Sequence, residues 1–221
     1  MSPRPRTVQD DVILDAALKV LGKIGTDRMT LADVGAEVGL SAATLVQRFG
    51  SKRELMLALF RHQLTDIHKR FESAIQTHDS PLDALFAAAV DRAGVLDGNV
   101  TLAHRLAFYL SQIEDPEFQA LAAENSRRAI EGFKALLERA VEAGELSDGY
   151  MDTTQLAETI YSMHMGSLLT WSIANRGSLR VKSRRDLDML IRPFRRGPRK
   201  ASADSIDRAA DRNTDTIADA R

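Results

Sequence analysis

Ser41 to Phe49 reads SAATLVQRF, and its residue types and spacing suit contact with the base edges of duplex DNA. At helical spacing Leu45 and Phe49 form an apolar side, whereas Ala42, Ala43, Thr44, Gln47 and Arg48 offer a small or polar one. A helix divided this way can rest on a core and still enter a major groove about 12 Å wide. Gln47 can pair with adenine through two hydrogen bonds, and Arg48 can read guanine or hold a phosphate. The methyl groups of Ala42, Ala43 and Thr44 can meet a thymine methyl. The hydroxyls of Thr30 and Ser41 suit phosphate contacts. Lys52 falls in the first turn of the next helix, where a cation runs against the helix dipole, so its presence points to an anionic partner. The same pattern would also serve a helical hairpin of a larger bundle with a solvated polar face.

A net charge of −1 leaves no global field to attract nucleic acid, so binding must come from local geometry. Arg4 and Arg6 could form an arm reaching the minor groove. The run Arg192, Arg195, Arg196, Arg199 and Lys200 reads either as added DNA contact or as a solvated helix end. With no cysteine, disulfides and thiolate chemistry are excluded. There is no nucleophile elbow, phosphate-cradling glycine loop or His-Glu-x-x-His pair, and no two of the five histidines stand at i, i+4. Neither catalysis nor a metal or cofactor is expected. The N-terminus lacks the apolar stretch of a signal peptide, and no apolar run approaches the roughly 18 residues of a membrane span. The expected location is the cytoplasm, in association with the nucleoid.

Apolar residues recur at spacings of three and four nearly everywhere, which predicts an all-α protein. The first helix is expected from near Thr7, its cap, to a left-handed turn at Gly25, with Ile13, Ala16, Ala17, Val20 and Ile24 as its stripe. A second should run from Thr30 to Gly39 and bury Leu31, Val34 and Val38. The third is the Ser41–Phe49 segment. Ser51 and Glu54 are spaced as a capping box opening a fourth helix that reaches about His78. Later helices are expected over 82–95 and 100–113, from Asp115-Pro116-Glu117 to near Gly144, from Thr153 or Thr154 to about Asn175, and from Ser183 to Phe194. Past Gly197-Pro198 the composition predicts a mobile tail. The chain thus divides into a helix-turn-helix head (1–50), a helical ligand-binding and dimerisation domain (51–196) joined to it by the helix from Ser51, and a polar tail (197–221).

Over Val8 to Phe60 the chain resembles the TetR (tetracycline-repressor) family of regulators. The resemblance lies in ILDAALKVLGKIG, the Thr30 start, Val34, the Gly39-Leu40-Ser41 turn, Thr44-Leu45, Phe49, and Ser51-Lys52 followed by Leu55. Smaller echoes follow at Asp115-Pro116-Glu117, at Ala143-Gly144-Glu145-Leu146 and at Gly166-Ser167-Leu168-Leu169 before Trp171. It implies a homodimeric regulator on a palindromic operator, a repressor released by a small, mainly apolar effector. Two positions depart from the family. Val46 stands where an aromatic, most often tyrosine, touches the DNA backbone, so that contact is replaced or lost. Gly35 stands where alanine is usual, at a cost of roughly 0.5–1 kcal/mol of helix stability.

A head of this size needs no further bundle merely to fold. The remaining helices suit a pocket and a dimer surface. Pocket candidates are Phe71, Phe86, His104, Phe108, Tyr109, Phe133, Tyr161, His164 and Met165, a mixture that would also suit an ordinary core. Dimer candidates are Gly166, Ser167, Leu169 and Trp171, with Leu187, Leu190, Ile191 and Phe194, although packing within the chain would use the same residues. A helical adaptor binding only protein, and an all-α enzyme, remain alternatives.

Overall fold

The computed structural model describes residues 8–90, 98–111, 114–147 and 152–196. Arg4, Arg6, Thr7, Arg199, Lys200, the 148–151 loop and the 197–221 tail lie outside these residues. Among the described residues the protein is helical throughout: α1 (Asp10–Ile24), α2 (Leu31–Val38), α3 (Ala42–Phe49), α4 (Lys52–Thr77), α5 (Pro81–Val90), α6 (Asn99–Ser111), α7 (Pro116–Glu142), α8 (Thr153–Ala174) and α9 (Leu179–Ile191). No strand occurs in them, and only an isolated bridge joins Leu146 to Arg195.

Local chemistry sets most boundaries. Thr30 closes a full capping box with Asp33, and Ser41 and Ser51 cap α3 and α4 by accepting from the N–H groups of Thr44 and Glu54. Asp115 and Asp152 do the same for α7 and α8. Gly39 ends α2 in the left-handed conformation, which lets the chain reverse into α3.

Several boundaries differ from expectation. α1 begins at Asp10 with Gln9 at the cap position and no side-chain cap. Gly25 has positive φ but an extended ψ, so it turns the chain without a left-handed cap. At Ser51 only half the box forms, because the Glu54 carboxylate accepts from Arg53. α9 starts at Leu179 under a Ser178 cap, and Ser183 is buried inside it; a 3₁₀ turn, Arg192–Phe194, follows. The apolar pattern of 179–182 is thin, and the cap was the better signal.

Two clusters form most of the interior. One gathers Ile13, Ala17 and Leu21 of α1, Val34, Leu45, then Leu55, Leu59 and Phe60 of α4, and also Phe108 of α6 and Phe118 of α7. The Phe60 ring lies 4.8 Å from Phe108 and 5.4 Å from Phe118, centroid to centroid. The other cluster joins Ile67 and Phe71 of α4 to α5, α7, α8 and α9. α4, about 39 Å long at 1.5 Å per residue, therefore serves both.

Candidate nucleic-acid interface and ligand cavity

Leu45 is fully buried under α3 and Phe49 is half-buried, so the apolar side of this helix is anchored as expected. Ala43, Val46, Gln47 and Arg48 are exposed, and Ala42 and Thr44 are half-buried. Gln47 makes no side-chain hydrogen bond among the described residues, whereas Arg48, exposed next to it, is engaged within the chain. Val46 is 49% exposed beside Gln47, an apolar side chain with nothing to donate.

Four predicted phosphate or base contacts are already engaged inside the chain. The Thr30 hydroxyl donates to Asp33 at 2.6 Å, and with the backbone bond at 2.8 Å it holds that carboxyl below its usual range. The Ser41 hydroxyl accepts from the Thr44 N–H at 3.1 Å and lies 2.8 Å from the Thr44 hydroxyl. Arg48 pairs with Asp10 and donates to the Val8 carbonyl, so it reaches towards the start of α1. Lys52 donates to the carbonyls of Thr26 at 2.7 Å and Asp27 at 3.4 Å. In this arrangement Lys52 is held by the turn after α1. On the opposite side, Lys19 and then Lys23 hold the Glu37 carboxyl low and tie α1 to α2.

The second site is a cavity of about 90 Å³ between α4, α6, α7 and α8. Five predicted residues line it: Tyr109, Phe133, Tyr161, His164 and Met165. Phe71 lies behind the wall, edge-on to Phe133 at 5.1 Å. Phe86 belongs to the core beneath Arg184 and Arg195, whose guanidinium carbons stand 5.2 and 5.4 Å from its ring centre. Phe108 packs in the head cluster. His104 faces the head: its Nδ1 donates to the Gly22 carbonyl at 2.9 Å, which fixes the tautomer. These four are corrections, since large side chains at helical spacing fill cores more often than they line cavities.

The sequence reading missed Arg70 and Arg105, both on the wall, along with Asn125 and the aliphatic lining. A signal existed. Arg105 sits between Leu102 and Leu106, and Arg70 follows Ile67 by three, each on its helix's apolar stripe. Asn125 donates to the Tyr109 hydroxyl, which in turn donates to Gln63 Oε1 at 2.6 Å. The Ser126 and Tyr161 hydroxyls lie 2.8 Å apart.

α6 faces both ways. Leu102, Arg105, Leu106 and Tyr109 line the cavity. Thr101 meets α1 so closely that a Cβ on Gly22 would lie 2.7 Å from its Cγ2. At the other junction Arg53 of α4 donates to Asp115 at 2.8 and 3.0 Å and to Glu117 at 3.2 Å, and this guanidinium depresses the Asp115 carboxyl.

Most of the predicted dimer residues pack within the chain. Trp171 is buried against Leu102, Leu168 and Leu179, with its indole N–H on the Gly177 carbonyl at 3.0 Å. Ser167 is buried and donates to Asp186 at 2.8 Å. Leu187 and Ile191 are core, with Leu190 and Phe194 packed against it. Gly166 and Leu169 are exposed, as are Ile173, Val181 and Met189, at 77%, 67% and 65%; the sequence reading singled out none of these three. In the basic run Arg192 and Arg195 both pair with Asp188, at 2.7 and 3.0 Å.

Residues 13–59 match the family model described as "Bacterial regulatory proteins, tetR family". The HTH-type transcriptional regulator BetI of Agrobacterium fabrum is 30% identical over 156 residues, covering 69% of this chain and 74% of that one. Two solved structures share the fold. FadR from Bacillus subtilis, solved in complex with stearoyl-CoA, is 19% identical with a TM-score of 0.67 and covers 83% of this chain and 98% of its own. SmeT, the repressor of a Stenotrophomonas maltophilia multidrug efflux pump, is 20% identical with a TM-score of 0.65 and covers 86% and 92%. Between the exposed face of α3 and these matches, the chain belongs to the tetR family and is a DNA-binding transcriptional regulator.

Proposed function

We propose that the protein is a repressor that holds a palindromic operator as a homodimer and leaves it when a small molecule fills the cavity. The observation that carries this reading is the double role of α4 and α6: each contributes to the head cluster and to the cavity wall. A ligand that shifts either helix changes the separation of two heads that must stand about 34–36 Å apart, one turn of DNA. Release requires tighter binding of the ligand to the off-DNA form. FadR with stearoyl-CoA and SmeT, a pump repressor, are in keeping with it.

The division at residue 50 is one of role, because packing continues across it. Arg4 and Arg6 serve as the minor-groove arm, and Ala42, Ala43, Thr44, Val46 and Gln47 as the surface against the bases. Thr30, Ser41, Arg48 and Lys52 act at the backbone once DNA competes for them. The place of action is the nucleoid.

Selection from a random duplex pool tests the reading, and a palindrome with half-sites one turn apart is the expected product. Gln47→Ala should then lower affinity for that operator about 10- to 100-fold, or roughly 1–3 kcal/mol for a two-bond base contact, while non-specific binding stays constant. An equal loss on random duplex would remove Gln47 from base reading.

The second copy docks on the α8–α9 face through Gly166, Leu169, Ile173, Val181 and Met189. Ile173→Asp should turn the dimer into a monomer of unchanged helicity, read by sedimentation and circular dichroism. A dimer that survives this change would place the interface elsewhere.

A further inference from the structure

Successive residues of an α-helix stand about 100° apart around its axis, so on α3 Ala43 lies about 60° from Val46 and about 40° from Gln47. The three form one arc of exposed surface, with Gln47 opposite the Leu45–Phe49 side and Val46 at one edge. Arg48 lies about 160° from Val46, on the other flank of the helix. There it pairs with Asp10 and donates to the Val8 carbonyl. The outward surface of α3 is thus split: methyl groups on one side of Gln47, polar groups on the other.

Val46 decides which base edge can lie against it. The major groove presents ring nitrogens and carbonyl oxygens as acceptors, the amino groups of adenine and cytosine as donors, and the thymine methyl. A polar edge pressed against an isopropyl group loses its water and gains no partner, and a phosphate oxygen fares no better. The thymine methyl is the one apolar group in that groove, and its burial against Val46 and Ala43 is favourable. Gln47, next along the arc, has the paired donor and acceptor that match adenine.

We propose that Val46, supported by Ala43, is a specificity-determining residue that seats a thymine 5-methyl group in each half-site, beside an adenine held by Gln47. This inference rests on α3 being the helix that reads the bases. Each half-site then places A·T pairs, and no G·C pair, under this arc. Part of the recognition runs through a methyl group and uses no hydrogen bond.

The test uses the full chain and the duplex recovered from the random pool, with binding read by fluorescence anisotropy. Each thymine is replaced in turn by deoxyuridine, which removes the 5-methyl group and leaves every hydrogen-bonding group in place. At one position per half-site this change should weaken binding about 3- to 5-fold, and about 10- to 25-fold when both half-sites carry it, as expected for one buried methyl each. Val46→Ala should weaken binding to the parent operator by a similar factor. It should also cut the uracil effect at that position below twofold and leave uracil effects elsewhere as they were, the signature of direct coupling. Cytosine in place of the same thymine, paired with guanine, should bind weakly. Its 5-methyl form should recover about 3- to 5-fold in the parent and nothing in Val46→Ala. A uracil effect unchanged in Val46→Ala, a half-site whose thymines all tolerate uracil, or no recovery by 5-methylcytosine overturns the proposal and leaves sequence-specific repression standing. A pool that yields no preferred duplex overturns the base-reading role of α3 and this inference with it.

Discussion

Replacing Leu45 with alanine should destabilise the head by about 2–5 kcal/mol, the range for truncating a fully buried leucine, and abolish operator binding at concentrations where the parent saturates. Leu45 is the only residue of α3 that is wholly buried. An eight-residue helix has no stability of its own in water, so α3 keeps its place through this side chain, the half-buried Phe49 and the Ser41 cap. Denaturant melts followed by circular dichroism should show the midpoint drop with little change in slope. Val46→Ala, one residue along and half exposed, is the control and should fall within about 0.5 kcal/mol of the parent. A Leu45→Ala protein as stable as that control would mean that α3 is held by something other than its apolar anchor.

Gly35→Ala should also destabilise, against the direction that helix propensity suggests. Propensity alone favours alanine by about 0.5–1 kcal/mol at a mid-helix site. Here, however, a Cβ on Gly35 would lie 2.5 Å from the Leu40 carbonyl oxygen and 3.3 Å from its carbon. The obstacle is backbone in the α2–α3 turn, and the Gly35 carbonyl itself accepts from the N–H groups of Gly39 and Leu40. No side chain can swing aside. Overpacking of this kind costs about 1–3 kcal/mol, which exceeds the propensity gain. Because the displaced turn sets the angle of α3, operator affinity should fall further than stability does. A variant that melts higher than the parent would show that the turn gives way freely.

Elements with a strong stripe and a polar cap were legible in the sequence. The Thr30-to-Gly50 unit follows from its caps, its glycines and the placement of Val34 and Leu45. α9 was not, because the residues after Ser178 lack an apolar repeat even though the serine capped as such residues do. Site residues divide along a similar line. The exposure of Gln47 follows from its spacing and nothing local uses it, whereas Arg48 and Lys52 carry charges that distant carbonyls and carboxylates claim in this arrangement, and no spacing rule records those. In the cavity, aromatic bulk drew attention to Phe71, Phe86 and Phe108, all of which fill space. The arginines on apolar stripes were the better guide, since an Arg placed among leucines has a buried task. For α8 and α9, apolar residues alone could not tell an inward from an outward face; Trp171 turned in and Ile173 out.

The first hydrophobic cluster is built jointly by the three N-terminal helices, the opening turns of α4, and Phe108 and Phe118 from much later in the chain. The reader of DNA is therefore no detachable cassette. A chimera that grafts this reader onto a foreign sensor has to carry the first three turns of α4 across the join and find aromatic rings to stand where Phe108 and Phe118 do. Natural exchange of heads between relatives would face the same requirement, so reader and sensor should diverge together along this seam.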